Sequence, residues 1–330
     1  PNRLTISLMK NILLLTIFCG TFALAFGQQE EQFTQFMFNK QSFNPAFVGQ
    51  DRVANVSAIM RNQWVGIDGA PQTQMINFNM PLAQNRIGIG ASIARQTIGV
   101  SENYTADASY AYHIELGRGR LGLGLQASVR LLRVNFSDLQ GTQPIGTDGA
   151  IPMDFQSRYV PNFGAGFYYG GQNMYVGFSI PRLLENNIDL ADSRDAVTRE
   201  IRHFYFMSGA RFGLGDNVEI QPQVLLKYVA GAPFDGDVNV NFVFVDRFIA
   251  GASYRIGGSR TSGVGESVSA LLGTYINDNM LFSLSYDATL TDLKNYNSGS
   301  FEGVLRYFFG GKPNDAESVD DPLGRNPFFN

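Results

Sequence analysis

The sequence predicts an all-β protein, a 14-stranded antiparallel transmembrane β-barrel with short periplasmic turns and long extracellular loops. Three observations predict it. Apolar and polar residues alternate with period two in run after run from Gly49 almost to the end. The connections between these runs swing between long and short, as in outer-membrane barrels. Composition suits strands with one lipid face and one wet face: 36 Gly, 27 Phe and 14 Tyr. Only 16 % of residues are charged, against the ~25 % usual in soluble proteins.

Residues 1–27 read as an export signal preceded by extra residues, with Met9 as the natural start. Lys10 supplies the basic region, Ile12 to Ile17 the apolar run, and small residues lie near Gly27. Cleavage there would remove Cys19, the one cysteine. Phe18 stands where a lipoprotein signal needs a small residue, which argues against lipidation.

Residues 28–52 form an irregular aromatic segment. "EQFTQFMFNKQSFNPAFVGQ" alternates too poorly for a strand and breaks too soon for a long helix. Its Phe33, Phe36, Phe38, Phe43 and Phe47 are expected to pack at the periplasmic end of the barrel or inside its mouth. Each such side chain contributes ~1.5–3 kcal/mol when buried. Asn44–Pro45 would set a fixed turn, because proline fixes its own φ and moves the preceding residue away from helix.

Residues 53–309 are the barrel. Strands are expected near 53–64, 72–81, 86–95, 103–114, 120–134, 160–170, 173–181, 201–213, 217–229, 237–245, 248–257, 267–276, 279–288 and 300–309. Each is close to the ~9–11 residues of a tilted spanning strand. "QTIGVSE" is read as one of the long connections, and the polar stretch 182–200 has some helical character. In hydrocarbon an unpaired backbone edge is excluded, so the last strand must pair with the first. An even strand count brings both termini to the periplasmic side. Tyr112, Phe136, Tyr169, Tyr228, Phe248 and Tyr307 fall near strand ends and would form the interfacial girdles.

The inward face carries both charge signs: Arg61, Asp107, Arg130, Arg211, Glu219, Lys227, Arg255, Asp287, Glu302 and Arg306. This is either a salt-bridge lattice that stiffens the wall or a polar cavity that receives something. Many inward positions are small, among them Ser57, Gly88, Gly90, Gly122, Gly124, Gly164, Gly166 and Ser283. They free volume for an open channel or for a polypeptide. No catalytic site is expected, since His113 and His203 lie on different strands with no local Ser or carboxylate. No cofactor, metal cluster, small-molecule substrate or nucleic-acid patch is legible. Residues 310–330 are an acidic, Pro-containing tail expected to hang in the periplasm. Its Phe328 and Phe329 either dock on a partner or belong to a disordered end.

Three stretches carry a resemblance: "QFTQFMFNKQSFNPAFVGQ", then "RNQWVGIDGAPQT" from Arg61 to Thr73, then "RIGIGASI" after a short turn. Together they resemble the start of the PorP/SprF family of Bacteroidetes outer-membrane proteins. Lys40 and Gln41 depart from it, standing where the family often has Pro and an aliphatic residue. The resemblance implies a barrel associated with type IX secretion and gliding motility. It would serve a secreted surface adhesin through that protein's C-terminal domain, or a translocon subunit. Partner contacts would then fall on Phe33, Phe36, Phe38, Asn44, Pro45, Arg61, Trp64, Gly69, Pro71, Phe328 and Phe329. For Trp64 an interfacial anchor next to a glycine-dependent turn is the equal alternative. The competing function class is a general diffusion channel.

Overall fold

A computed structural model describes residues 30–135, 155–188, 199–257 and 265–310. The signal segment, Phe136 and the tail with Phe328 and Phe329 lie outside the described residues. Fourteen strands follow in order: β1 (Ala54–Asn62), β2 (Gln72–Leu82), β3 (Ile87–Ile98), β4 (Ser101–Leu116), β5 (Gly119–Asn135), β6 (Phe155–Gly170) and β7 (Met174–Ile180). Then come β8 (His203–Ala210, resumed over Phe212–Gly213), β9 (Val218–Val229), β10 (Asp235–Phe244), β11 (Phe248–Ile256), β12 (Ser267–Asn277), β13 (Met280–Thr289) and β14 (Ser300–Phe309).

Each strand pairs antiparallel with the next, and β1 pairs with β14 from Ala54↔Phe309 to Asn62↔Phe301. The sheet is therefore closed and has no free edge, as a lipid environment demands. The pleat sorts the side chains. Leu125, Ile93 and Leu272 point outward and are well exposed, while Gln126, Ser92 and Leu271 on the opposite face are buried. Tyr112, Tyr228, Phe248 and Tyr307 are outward and exposed near strand ends.

Two expectations are corrected. "QTIGVSE" is not a long loop. β3 runs on to Ile98, which pairs with Ser101, so only Gly99 and Val100 connect the strands. Gly99 at φ +54 supplies the left-handed residue that so tight a turn needs. β4, β5 and β6 have 16, 17 and 16 residues, so this part of the wall stands taller than a minimal spanning sheet. Nor is the described part of 182–200 helical. Its two arms are joined by an Asn187↔Arg199 bridge.

The inner face is not uniformly polar. Ile59, Met75, Met207, Leu225, Leu281 and Val304 point inward and form one buried apolar cluster with Phe33, Phe36, Phe38, Phe43 and Phe47. The apolar surface that answers these inward residues comes from the segment ahead of β1, which occupies the lumen.

Candidate functional site

Residues 36–47 form three short turns: a 3-10 turn (Phe36–Phe38), one α-turn (Lys40–Phe43) and a second 3-10 turn (Pro45–Phe47). Asn44 is extended, as a residue before proline must be, and its side-chain oxygen accepts from the Ala46 amide at 2.9 Å. Pro45 opens the turn, where its missing N–H is no loss. The Asn44 Nδ2 donates to the Phe167 carbonyl of β6 at 2.9 Å. The Asn–Pro pair thus sets a turn and ties it to the wall.

The wall accepts this turn because it lacks side chains there. A Cβ on Gly88 would lie 1.9 Å from the Val48 carbonyl oxygen, and one on Gly124 would lie 2.2 Å from the Ala46 nitrogen. Gly122 faces Ala46 and Gly166 faces Asn44 in the same way. Gly49 has φ +81 and approaches Gly88 backbone to backbone. The "NPAFVG" and "RIGIG" stretches are therefore the two sides of one contact.

Polar residues at the short-turn mouth hold the segment down. The Arg120 guanidinium donates to the carbonyls of Gly49 at 2.8 Å, Gln50 at 2.9 Å and Asn85 at 3.0 Å. The Gly49 amide donates to Asn79 Oδ1 at 2.7 Å. His113 Nε2 lies 2.8 Å from the Val48 carbonyl, which can only accept, so Nε2 carries the proton. Nδ1 then accepts from Gln50 Nε2 at 3.3 Å. Arg306 pairs with Asp51 and donates to Asn55 Oδ1.

Mid-lumen contacts are aromatic. Phe43 meets Tyr205 and Phe47 meets Tyr168 edge-on, with centroids 5.4 and 5.3 Å apart. Lys40 Nζ sits 3.9 Å from the Tyr175 ring centre. Gln41, the other departure from the family pattern, donates to the Phe78 and Ala91 carbonyls, both at 3.1 Å.

The long-loop mouth carries a second set of charges. Arg61 pairs with Asp287 at 2.8 Å and Glu302 at 2.9 Å. Glu302 accepts the amides of Thr34 and Gln35 at 2.8 and 2.9 Å. Lys227 pairs with Asp237 at 3.0 Å, and Arg255 with Asp237 at 2.7 Å. Arg255 also donates to the Phe33 carbonyl. Arg130 meets Glu200 at 3.3 Å. At the short-turn mouth Glu219 accepts from Gln221 and Arg211 contacts Asn173 at the break in β8, while Asp107 is half-buried midway along β4. Most of the inward charges thus lie toward one mouth or the other, with Asp107 and Lys40 between them.

Phe33, Phe36, Phe38, Asn44, Pro45 and Arg61 are buried among these internal contacts. Trp64, Gly69 and Pro71 lie on the 63–71 loop. Trp64 is half-buried at φ +47, and its amide donates to Ser300 Oγ at 3.1 Å. Val65 exchanges two backbone hydrogen bonds with Ser298 and Gly299, and Gly69 accepts from Gly99. The loop is braced on both sides and leaves Val65, Leu293 and Tyr296 exposed, Tyr296 at 74 %. Beside it lies a polar cleft of about 440 Å³ lined by Gln63, Asp68, Gln72 and Thr97. His113, Arg120 and Asn79 were not among the expected site residues. Their one signal is position, since each is polar, inward and near the end of its strand.

A closed barrel with a lipid-facing apolar exterior defines the outer-membrane class of proteins. The family model "Type IX secretion system membrane protein PorP/SprF" matches residues 25–307, and the chain belongs to that family. No curated protein matches it. Among solved structures, the Ralstonia pickettii toluene transporter TbuX is similar at TM-score 0.49 and 9 % identity, covering 85 % of this chain and 94 % of its own. The Acinetobacter baumannii outer membrane protein Omp33 is similar at TM-score 0.44 and 10 % identity, covering 78 % and 98 %. Family and fold are those of a secretion-linked outer-membrane barrel.

Proposed function

We propose that this protein serves type IX secretion as a docking barrel rather than as a conduit. Its long-loop end faces outward, and the braced rim of 63–71 and 290–299 binds a secreted protein's C-terminal domain or a translocon subunit. One observation carries the reading: the lumen is already filled by the chain's own residues 33–51. A rigid rim with exposed Val65, Leu293 and Tyr296 offers apolar contact without an ordering cost.

Val65→Ser combined with Tyr296→Ala tests it, because surface changes of this kind usually alter stability by no more than about 0.5 kcal/mol. The barrel should assemble normally while co-purified secretion partners fall at least tenfold. Undiminished recovery of those partners would sink the rim assignment.

A second reading, a diffusion channel, has one observation in its favour. On β9 and β10 the inward amides of Gln221, Gln223, Asn239 and Asn241 are buried with polar atoms lacking a partner among the described residues. Such atoms call for water, which would put a thread of it beside the segment. Steady conductance of the wild-type protein in planar bilayers would favour that reading, and silence the docking one.

A further inference from the structure

We infer that the amino-terminal segment runs the whole length of the lumen, so that its first residue, Glu31, stands at the long-loop mouth beside the partner-facing rim. The strand directions fix the two mouths. β1 starts at the short-turn mouth with Ala54 and reaches the long-loop mouth at Asn62. Asn55 and Arg61 are therefore about 20 Å apart along the wall, at ~3.3 Å per residue.

The segment is bound at both levels. Its carboxyl end, Gly49 to Asp51, is held by Arg120, Arg306 and Asn79 at the short-turn mouth. Its amino end is held at the other. Gln32 Nε2 donates to Asp235 at 3.2 Å, and Asp235 is the first residue of β10, directly after a long-end connection. Thr34 and Gln35 are held by Glu302 and Asp287, which lie within three residues of the long-loop ends of β14 and β13. The Phe33 carbonyl accepts from Arg255, the penultimate residue of β11.

An even strand count says only where the barrel's own ends lie. The segment ahead of β1 crosses back through the lumen, so the amino end leaves opposite to Ala54. Glu31 then stands at the mouth bounded by the 63–71 and 290–299 loops.

That this mouth is the cell surface rests on the proposed function, and the experiment separates the two claims. Single variants Glu31→Cys, Asp68→Cys on the rim loop and Arg118→Cys in a short turn are labelled with a membrane-impermeant maleimide, on intact cells and after permeabilisation. Glu31→Cys should follow Asp68→Cys, at least fivefold above Arg118→Cys on intact cells. If Glu31→Cys follows Arg118→Cys instead, threading is overturned while the orientation stands. If Asp68→Cys reacts only after permeabilisation and Arg118→Cys reacts on intact cells, the orientation falls. Threading is then still decided by which of the two Glu31→Cys follows. A short epitope inserted directly ahead of Glu31, read by antibody, decides the case in which the thiol is shielded.

Discussion

Replacing Gly88 and Gly124 together by valine is expected to expel the amino-terminal segment while the barrel still closes. The added Cβ atoms would stand 1.9 Å from the Val48 oxygen and 2.2 Å from the Ala46 nitrogen. Both are backbone atoms, so no rotamer change relieves the overlap. The strands themselves gain, since valine is a better strand residue than glycine. Closure between β1 and β14 involves neither position. Amide exchange of residues 36–50 should pass from protected to coil-like, a loss of several orders of magnitude. Bilayer conductance should rise well above that of the wild type. Gly164→Ala is the control: its Cβ would meet the Pro181 carbonyl at 2.2 Å, away from the segment, so protection of 36–50 should persist. Retained protection in the double valine variant would show that the glycines do not form the seat.

The barrel was legible because a membrane wall imposes period two and backbone closure, and both leave marks in a single strand's sequence. The strand runs in β1, β5 and β14 could be read within a few residues. What the sequence concealed lies in long-range partners. Arg61 reads as an inward arginine, yet nothing near it announces Thr34, Asp287 or Glu302, the last 241 residues away. The inward glycines reveal spare volume but not its occupant. Gly99 shows a local limit as well. "QTIGVSE" looks like loop because its apolar–polar alternation lapses at Gln96–Thr97 and Ser101–Glu102, yet these residues pair as strand.

Arg61→Ala is expected to be the most destabilising single change at the long-loop mouth. Asp287 and Glu302 are both buried there, and Arg61 is the cation that touches each of them. Removing one partner of a buried ion pair costs roughly 3–5 kcal/mol, because the remaining charge stays desolvated. The loss should also be local. Exchange at Thr34–Phe38 should rise, since Thr34 Oγ1 bonds both Arg61 at 2.8 Å and Asp287 at 2.7 Å. Exchange at Asn44–Gln50 should change little, because Arg120 and His113 hold that end independently. The triple variant Arg61→Met, Asp287→Asn, Glu302→Gln removes all three charges at similar volume and should recover most of the thermal stability. Charge burial, rather than lost shape, would then account for the single variant. A triple variant as unstable as Arg61→Ala, or loosening that reaches Asn44–Gln50, would instead mean that the arginine stabilises this mouth mainly by filling space.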